Sequence, residues 1–275
     1  MPIHLNLPPT FAQKLAEADR GLAGMWVCSG SPLVAEIAAG SGLDWLLIDG
    51  EHSPLSLEAI QLQLQAIAAY PITPLVRVPV NDQVLIKQYL DLGAQNLLVP
   101  MVNSAADAEQ AVRAMRYPPA GVRGVGSALA RGARWNRVEG YLQRANDEYV
   151  SLTVQIETAE AVERVDEIVG TEGVDAIFVG PSDLAASMGL IGQQGHPDVV
   201  EGVRRAIAAG KAAGKPVGIN AFDPKLAHQY FDEGMDFILV GADVALLARG
   251  SERLADEFIA GRAGERAEGA ERASY

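Results

Sequence analysis

Eight short apolar runs rich in β-branched residues alternate with helical patterns along almost the whole chain, and no other feature limits the fold as tightly. The runs fall at 25–29, 45–50, 74–79, 96–102, 152–158, 176–183, 216–221 and 237–243. The spacing predicts a helix after each, at 32–39, 56–70, 82–92, 105–116, 159–169, 199–213, 224–233 and 244–259. Several open on Ser or Asp and some close at Gly93, Gly170, Gly214 or Gly234, residue types that satisfy helix ends. Neighbouring parallel strands need crossovers of this kind, so the alternation implies one parallel sheet. Eight units is the number that closes a (β/α)8 TIM barrel, here with an additional N-terminal helix at 11–20. The alternative is an open doubly wound sheet, which lacks support because no G-x-G-x-x-G follows any run.

A barrel of this type fills about 250 residues, so the 275-residue chain is read as a single domain over 1–260. The segment 261–275 (GRAGERAEGAERASY) is polar and low in complexity and is expected to fray. The longest insertion, 117–149, holds Gly121, Gly124, Gly126, Arg123, Arg131 and Trp135. A connection of that length at a barrel mouth is more often functional than idle. The one cysteine, Cys28, cannot form an internal disulfide, and Lys14, Glu17, Asp19 and Arg20 interrupt the apolar stretch that a signal peptide needs. A cytoplasmic location is the expectation. No apolar run approaches the roughly 18 residues of a membrane helix, and a formal charge of −13 disfavours nucleic acid or anionic lipid as partner. Small molecules remain, and an anionic one would have to be held locally against the overall field.

Catalytic groups of such barrels sit at the C-terminal ends of the strands, and polar residues collect there. The second run ends in Asp49-Gly50-Glu51-His52, the third holds Arg77, the fifth ends Gln155-Ile156-Glu157 and the sixth ends Gly180-Pro181-Ser182-Asp183. Alternation along the fifth turns Thr153, Gln155 and Glu157 into the barrel and Val154 and Ile156 away from it. Glu157 and Asp183 lie 26 residues apart, one strand–helix–strand unit. Adjacent strand axes are roughly 4.8 Å apart, so both carboxylates can reach one hard cation above the strand ends. Two oxygen donors with no His or Cys beside them suit Mg²⁺, Mn²⁺ or Co²⁺ better than a structural zinc. The alternative is that both acids are solvated, with Asp183 capping the turn that follows it. His52 stands where an imidazole could act as general base, with Asp49 or Asp91 to orient it; a lone histidine there is more often structural. Arg77 could stabilise an oxyanion or form a salt bridge at the mouth. The lysines, Lys14, Lys87, Lys211, Lys215 and Lys225, all fall outside the strand ends, which argues against a Schiff base. Cys28 reads as a small core residue.

The segments WLLIDGEHSP (45–54), NLLVPMV (96–102), RYPPAGVRGVGSALARGARWN (116–136), VQIET (154–158) and VGPSDLAASMG (179–189) resemble the HpcH/HpaI family of metal-dependent aldolases, in its 4-hydroxy-2-oxoheptanedioate aldolase branch. The resemblance implies a (β/α)8 barrel that cleaves a 4-hydroxy-2-oxo acid to pyruvate and an aldehyde. It implies that Glu157 and Asp183 bind the metal, that the N–H groups of Ser182 and Asp183 hold the pyruvate carboxylate, and that His52 moves the proton with Asp91 aligning it. Arg77 would steady the enolate oxygen, Asp49 would act through metal-bound water, and Gln155 and Trp26 would line the pocket. A hexamer is implied too, with the last helix packed on a neighbour and the loop from Arg123 to Arg131 reaching an adjacent site. The chain departs from the expected pattern at Asn220, where the resemblance implies an apolar residue, and near Val78 and Val80. By the same resemblance, those positions would touch the aldehyde half of the substrate.

Two relatives of this chemistry share the pyruvate half, a 2-keto-3-deoxy sugar-acid aldolase and an oxaloacetate-type decarboxylase. A barrel that only binds a keto acid is the non-catalytic alternative, and His52 beside two intact acids argues against it.

Overall fold

The computed structural model describes residues 3–259. Helix α1 (Phe11–Glu17) comes first, followed by β1 (Leu22–Val27), α2 (Pro32–Ala39), β2 (Trp45–Asp49), α3 (Leu57–Ala66), β3 (Thr73–Arg77), α4 (Gln83–Asp91), β4 (Asn96–Val99) and α5 (Ala105–Met115). After the insertion, which carries α6 (Tyr141–Arg144), come β5 (Ser151–Ile156), α7 (Ala159–Glu163), α8 (Val165–Gly170), β6 (Ala176–Val179) and α9 (Pro181–Ser187). The chain continues through α10 (Pro197–Ala213), β7 (Val217–Asn220), α11 (Pro224–Glu233), β8 (Phe237–Ala242) and α12 (Asp243–Phe258). The eight strands are parallel, pair in chain order, and close with β8 against β1. The expected TIM barrel with its N-terminal helix is therefore present.

Two apolar layers follow from strand alternation. Outward-facing Val and Ile residues such as Val76, Val154, Ile156 and Ile177 pack under the helices, while Leu22, Trp45, Leu47, Leu75, Leu98, Phe178, Phe237 and Leu239 fill the barrel. Helix α1 closes the end opposite the strand C-termini. Thr10 and Gln13 cap it reciprocally, and Phe11 packs against the rings of Trp45 and Phe237, each 5.2 Å from it. Asn96 accepts the Phe11 N–H at 2.7 Å and donates to the Pro74 carbonyl, which ties the plug to two strands. The rings fit because Gly24 and Gly218 lack a side chain. A Cβ at either position would lie 2.3 Å from the Trp45 or Phe237 ring.

Most helix ends match the expected caps. Ser31, Ser56, Asp82, Ser104, Thr158 and Asp223 accept N–H groups of the first turn, and Gly214 and Gly234 end their helices at positive φ. Several boundaries differ from the sequence reading. β1 starts at Leu22 and β4 stops at Val99, where Pro100 has no N–H to continue the ladder. The sixth strand also stops early, at Val179, and Pro181 opens α9 as its first residue. Asp183 is thus in the first turn of a helix capped by Gly180 and is not itself the cap. The helix expected at 159–169 is two, broken at Arg164.

The insertion packs on its own small core of Tyr117, Ala133, Val138, Tyr141, Ala145 and Tyr149. Arg131 fastens it to the barrel by donating to the carbonyls of Leu92 and Leu64, near the C-terminal ends of α4 and α3. Such carbonyls lack intrahelical partners and favour a cation. No helix among the described residues is long and apolar enough to cross a membrane. The segment 261–275, expected to fray, lies outside the described residues.

Phe11 is fully buried at the centre of the plug, so Phe11→Ala is expected to cost about 3–5 kcal/mol. The loss should appear as a lower denaturant midpoint, and a midpoint equal to wild type would show that α1 is dispensable.

Candidate active site

Strand alternation and register bring one charged side chain from each of two neighbouring strands to the barrel mouth. Asp49 ends β2 and pairs in register with Arg77, which ends β3. Arg77 Nε donates to Asp49 Oδ1 at 2.8 Å, and its Nη1 lies 2.8 Å from Glu51 Oε2. The guanidinium carbon lies 4.4 Å from the centre of the Trp26 ring. Arg77 is buried, and two carboxylates and an aromatic face fix it on three sides.

Asp49 also shapes the turn after β2. Its Oδ1 accepts the N–H groups of Glu51 at 3.0 Å and His52 at 3.4 Å, so the chain folds back and leaves the His52 side chain exposed at the rim. Gly50 is required in this turn, since a Cβ there would meet the Tyr89 hydroxyl at 2.5 Å and the Arg77 carbonyl at 2.6 Å. Burial raises the Asp49 carboxyl, but the Arg77 hydrogen bond and charge, together with the two N–H donors, outweigh it and hold Asp49 below the usual range.

Across the mouth, Glu157 follows the last residue of β5 and is buried. Its Oε1 accepts the Met101 N–H at 2.6 Å, and its Oε2 accepts a short hydrogen bond from Gln155 Nε2. Met101 makes its bond from the left-handed region, φ 57°, where a non-glycine residue is strained. Asp183 is exposed in the first turn of α9, and its charge acts on Glu157. Burial first, and then Asp183, raise the Glu157 carboxyl, against the donors from Met101 and Gln155. Glu51 is raised as well, by burial and then by Glu157, with Arg77 opposing. Beside Ser182, Gln194 Nε2 donates to its hydroxyl at 3.2 Å.

The donors present fit one hard dication. Glu157 just past β5 and Asp183 in the first turn of the helix after the adjacent β6 offer carboxylates, and the backbone between them comes close because Gly180 has no Cβ; one there would lie 3.1 Å from Glu157 Cβ. Among the described residues, no group of three or more His, Cys, Asp and Glu could hold an ion alone. Two carboxylates that leave further positions to water and substrate are the Mg²⁺ pattern. Gln155 Oε1 is buried there without a donor, one more oxygen facing no positive partner.

The other anticipated residues are scattered in placement. Trp26 Nε1 donates to Asn220 Oδ1 at 2.7 Å across the mouth. Asp91, at the end of α4, receives Arg123 Nη2 at 3.0 Å, and among the described residues it makes no hydrogen bond to His52. Arg123 is fully buried over Tyr117 and needs that carboxylate. Burial of Cys28 pushes its thiol up to about 12, in keeping with a packing role. Glu51, Met101 and Gln194 were given no role in the sequence reading. The first was visible in the Asp49-Gly50-Glu51-His52 run, whereas Met101 contributes a backbone N–H that its side chain does not advertise.

The profile of the HpcH/HpaI aldolase/citrate lyase family matches residues 22–250. The 4-hydroxy-2-oxo-heptane-1,7-dioate aldolase of Shigella sonnei is 52% identical over 242 residues, covering 88% of this chain and 92% of that protein. The hydroxypyruvate/pyruvate aldolase of Deinococcus radiodurans is 51% identical over 261 residues, 94% of each. Among solved structures, an HpcH/HpaI aldolase/citrate lyase family protein from Burkholderia cenocepacia J2315 superimposes with a TM-score of 0.86 at 44% identity, covering 90% of this chain and 97% of that one. A match that spans the barrel from its first strand into its last helix leaves one conclusion: the chain belongs to the HpcH/HpaI aldolase/citrate lyase family.

Proposed function

We propose that the chain is a metal-dependent (class II) pyruvate aldolase that reversibly cleaves a 4-hydroxy-2-oxo acid to pyruvate and an aldehyde. The observation that carries this reading is that Glu157, just past β5, and Asp183, in the first turn of the helix after β6, lie near enough for their charges to interact, beside a rigidly held Arg77 and with no lysine at any strand end. The family membership and the names of the two aldolase relatives support it.

In the cleavage direction the bond between C3 and C4 breaks. Its electron pair passes to the pyruvate half as an enolate, the C4 hydroxyl proton leaves to a base, and the enolate carbon is then protonated. A divalent cation held by Glu157 and Asp183 would supply Lewis-acid stabilisation of the enolate charge worth several kcal/mol. His52, exposed at the rim on the Asp49 turn, is the base for the hydroxyl proton. Arg77 keeps its guanidinium oriented before substrate arrives, because Asp49 and Glu51 fix it, and it steadies the enolate oxygen. Asp49 and Glu51 keep the guanidinium in place, and Glu51 is close enough to Glu157 to feel its charge. Gln155 holds Glu157, and the N–H groups of Ser182 and Asp183 are the donors for the pyruvate carboxylate. Asp91, bound to Arg123 in its own chain, would align a histidine only after the insertion is rearranged or from a neighbouring copy.

A homo-oligomer is part of the proposal. Of the sixteen residues of α12 only Asp243 is buried, while Leu246, Leu247, Leu254 and Phe258 are exposed. An amphipathic helix with its apolar side open in one chain fits a second copy. Leu247→Glu combined with Phe258→Glu is expected to yield a smaller species by light scattering; an unchanged mass would remove α12 from the interface.

Chelator-stripped protein is expected to lose cleavage of 4-hydroxy-2-oxo acids and exchange of pyruvate methyl protons, and to regain both with Mg²⁺, Mn²⁺ or Co²⁺. Turnover that persists in strong chelator would overturn the metal reading. His52→Ala should lower kcat for cleavage by about 10²- to 10⁴-fold, and Arg77→Ala by about 10²- to 10³-fold. Met101→Val, which puts a β-branched residue at φ 57°, is expected to cost about 1–3 kcal/mol and to weaken Mn²⁺ binding in a calorimetric titration. Met101→Gly keeps both the N–H and the conformation, so it should bind Mn²⁺ as wild type does.

A further inference from the structure

The contact between Trp26 and Asn220 links two strand ends that carry none of the acids. Trp26 Nε1 donates to Asn220 Oδ1 at 2.7 Å. An indole N–H is only a donor, so the amide has one possible orientation, oxygen toward Trp26 and Nδ2 away. Nδ2 then carries two N–H donors, and among the described residues no acceptor receives them. Asn220 is the last residue of β7 and is partly exposed, at the face of the barrel where the strands end.

The same bond fixes the indole on which Arg77 lies, 4.4 Å from the ring centre, and which stands perpendicular to the Phe178 ring with the two centres 6.4 Å apart. Asn220, Trp26, Arg77 and the pair Asp49 and Glu51 thus form one continuous line from β7 across β1 and β3 to β2. Its acidic end belongs to the pyruvate half. Its other end is neutral and offers donors only.

We propose that Asn220 determines the acceptor: its unpartnered amide N–H groups bind a hydroxyl on the aldehyde, so the enzyme favours hydroxyaldehydes over alkyl aldehydes of the same size. This rests on the aldolase reading above. In the synthetic direction the enolate carbon of pyruvate bonds to the aldehyde carbon, and the carbonyl oxygen gains the proton that the pyruvate methyl group has lost. Asn220 takes no part in that transfer and acts on the rest of the aldehyde chain. A hydroxyl suits it better than a carboxylate, because Asp49, Glu51, Glu157 and Asp183 already crowd the mouth and Arg77 is committed to the first two. A site that supplies hydrogen bonds to a substrate hydroxyl discriminates against the analogue that lacks it.

The test compares kcat/KM for glycolaldehyde and for propanal, which has a methyl in place of the hydroxyl, with pyruvate and Mn²⁺, in wild type, Asn220→Leu and Asn220→Asp. The acidic variant keeps an oxygen for Trp26 but lacks both donors, so it separates donation by the amide from support of the indole. Wild type is expected to prefer glycolaldehyde, and both variants to lower the ratio about tenfold, the size of one lost hydrogen bond. No preference in wild type overturns the proposal. A ratio that falls in Asn220→Leu and holds in Asn220→Asp overturns it too, because a group that only accepts, from the hydroxyl or from Trp26, would then serve as well and the amide N–H groups would not be what binds the aldehyde. Succinic semialdehyde provides a third arm: if it is preferred over glycolaldehyde, and that preference is what the variants lose, the ligand is a carboxylate and the hydroxyl assignment fails. Exchange of pyruvate methyl protons without any aldehyde checks the underlying reading independently. Exchange with an unchanged ratio sinks Asn220 alone, whereas absence of exchange sinks the aldolase reading.

Discussion

The barrel mouth is organised around one buried cation, the Arg77 guanidinium. It meets Asp49, Glu51 and the Trp26 face within a few ångströms, so a single side chain connects the ends of β1, β2 and β3. Removing one partner from a buried ion pair leaves an uncompensated charge and costs about 3–5 kcal/mol. The turn after β2 depends on the same group indirectly, because Asp49 both receives Arg77 and gathers the N–H groups of Glu51 and His52. The position of His52 is therefore a consequence of where Arg77 sits.

On the opposite side the balance is reversed. Glu157 is buried with Asp183 acting on it and acts in turn on Glu51, while the Met101 N–H, Gln155 and the Arg77 charge offset its own charge. Carboxylates held that way resist ionisation until a positive group arrives. A dication would supply it and would favour the ionised form of Glu157 and Glu51 together. It would also give an anionic keto acid a place to bind on a chain whose net charge is −13. The strained backbone of Met101 belongs to this account, since its N–H fixes one oxygen of Glu157 and leaves the other on the side of Gln155.

The fold was legible because it depends on periodicity. Eight β-rich runs and their crossovers specify a closed parallel barrel whatever the details of each boundary, and the Ser, Asp and Gly helix ends mark most of those boundaries locally. The errors fall where backbone chemistry ends an element sooner than hydrophobicity does, at Pro100 after β4 and at Gly180-Pro181 after β6. The site was legible in part. Asp49, Arg77, Gln155 and Glu157 follow from strand ends and alternation, and the structure gathers them at the mouth. Glu51 and Met101 did not, because one is a neighbour of more familiar residues and the other acts through its backbone. Asp91 illustrates the opposite limit: from sequence it can be given to His52, but in the folded chain the desolvated Arg123 of the insertion claims it.

Closure of the barrel also separates the parts of the site by origin. The groups assigned to the keto acid come from β2, β3, β5 and the start of α9, whereas Trp26 and Asn220 come from β1 and β7. Between those two strands lies β8, whose residues in register with them are Leu239 and Ala242, and the buried Asp243 that follows is taken up by the N–H groups of Cys28 and Ser29. The acceptor side thus owes its polarity to the Asn220 amide and the indole N–H that orients it. Substitution at position 220 can alter the character of that wall while leaving every carboxylate and Arg77 on its own strand. A barrel built in this way can hold one half of its chemistry constant and vary the other.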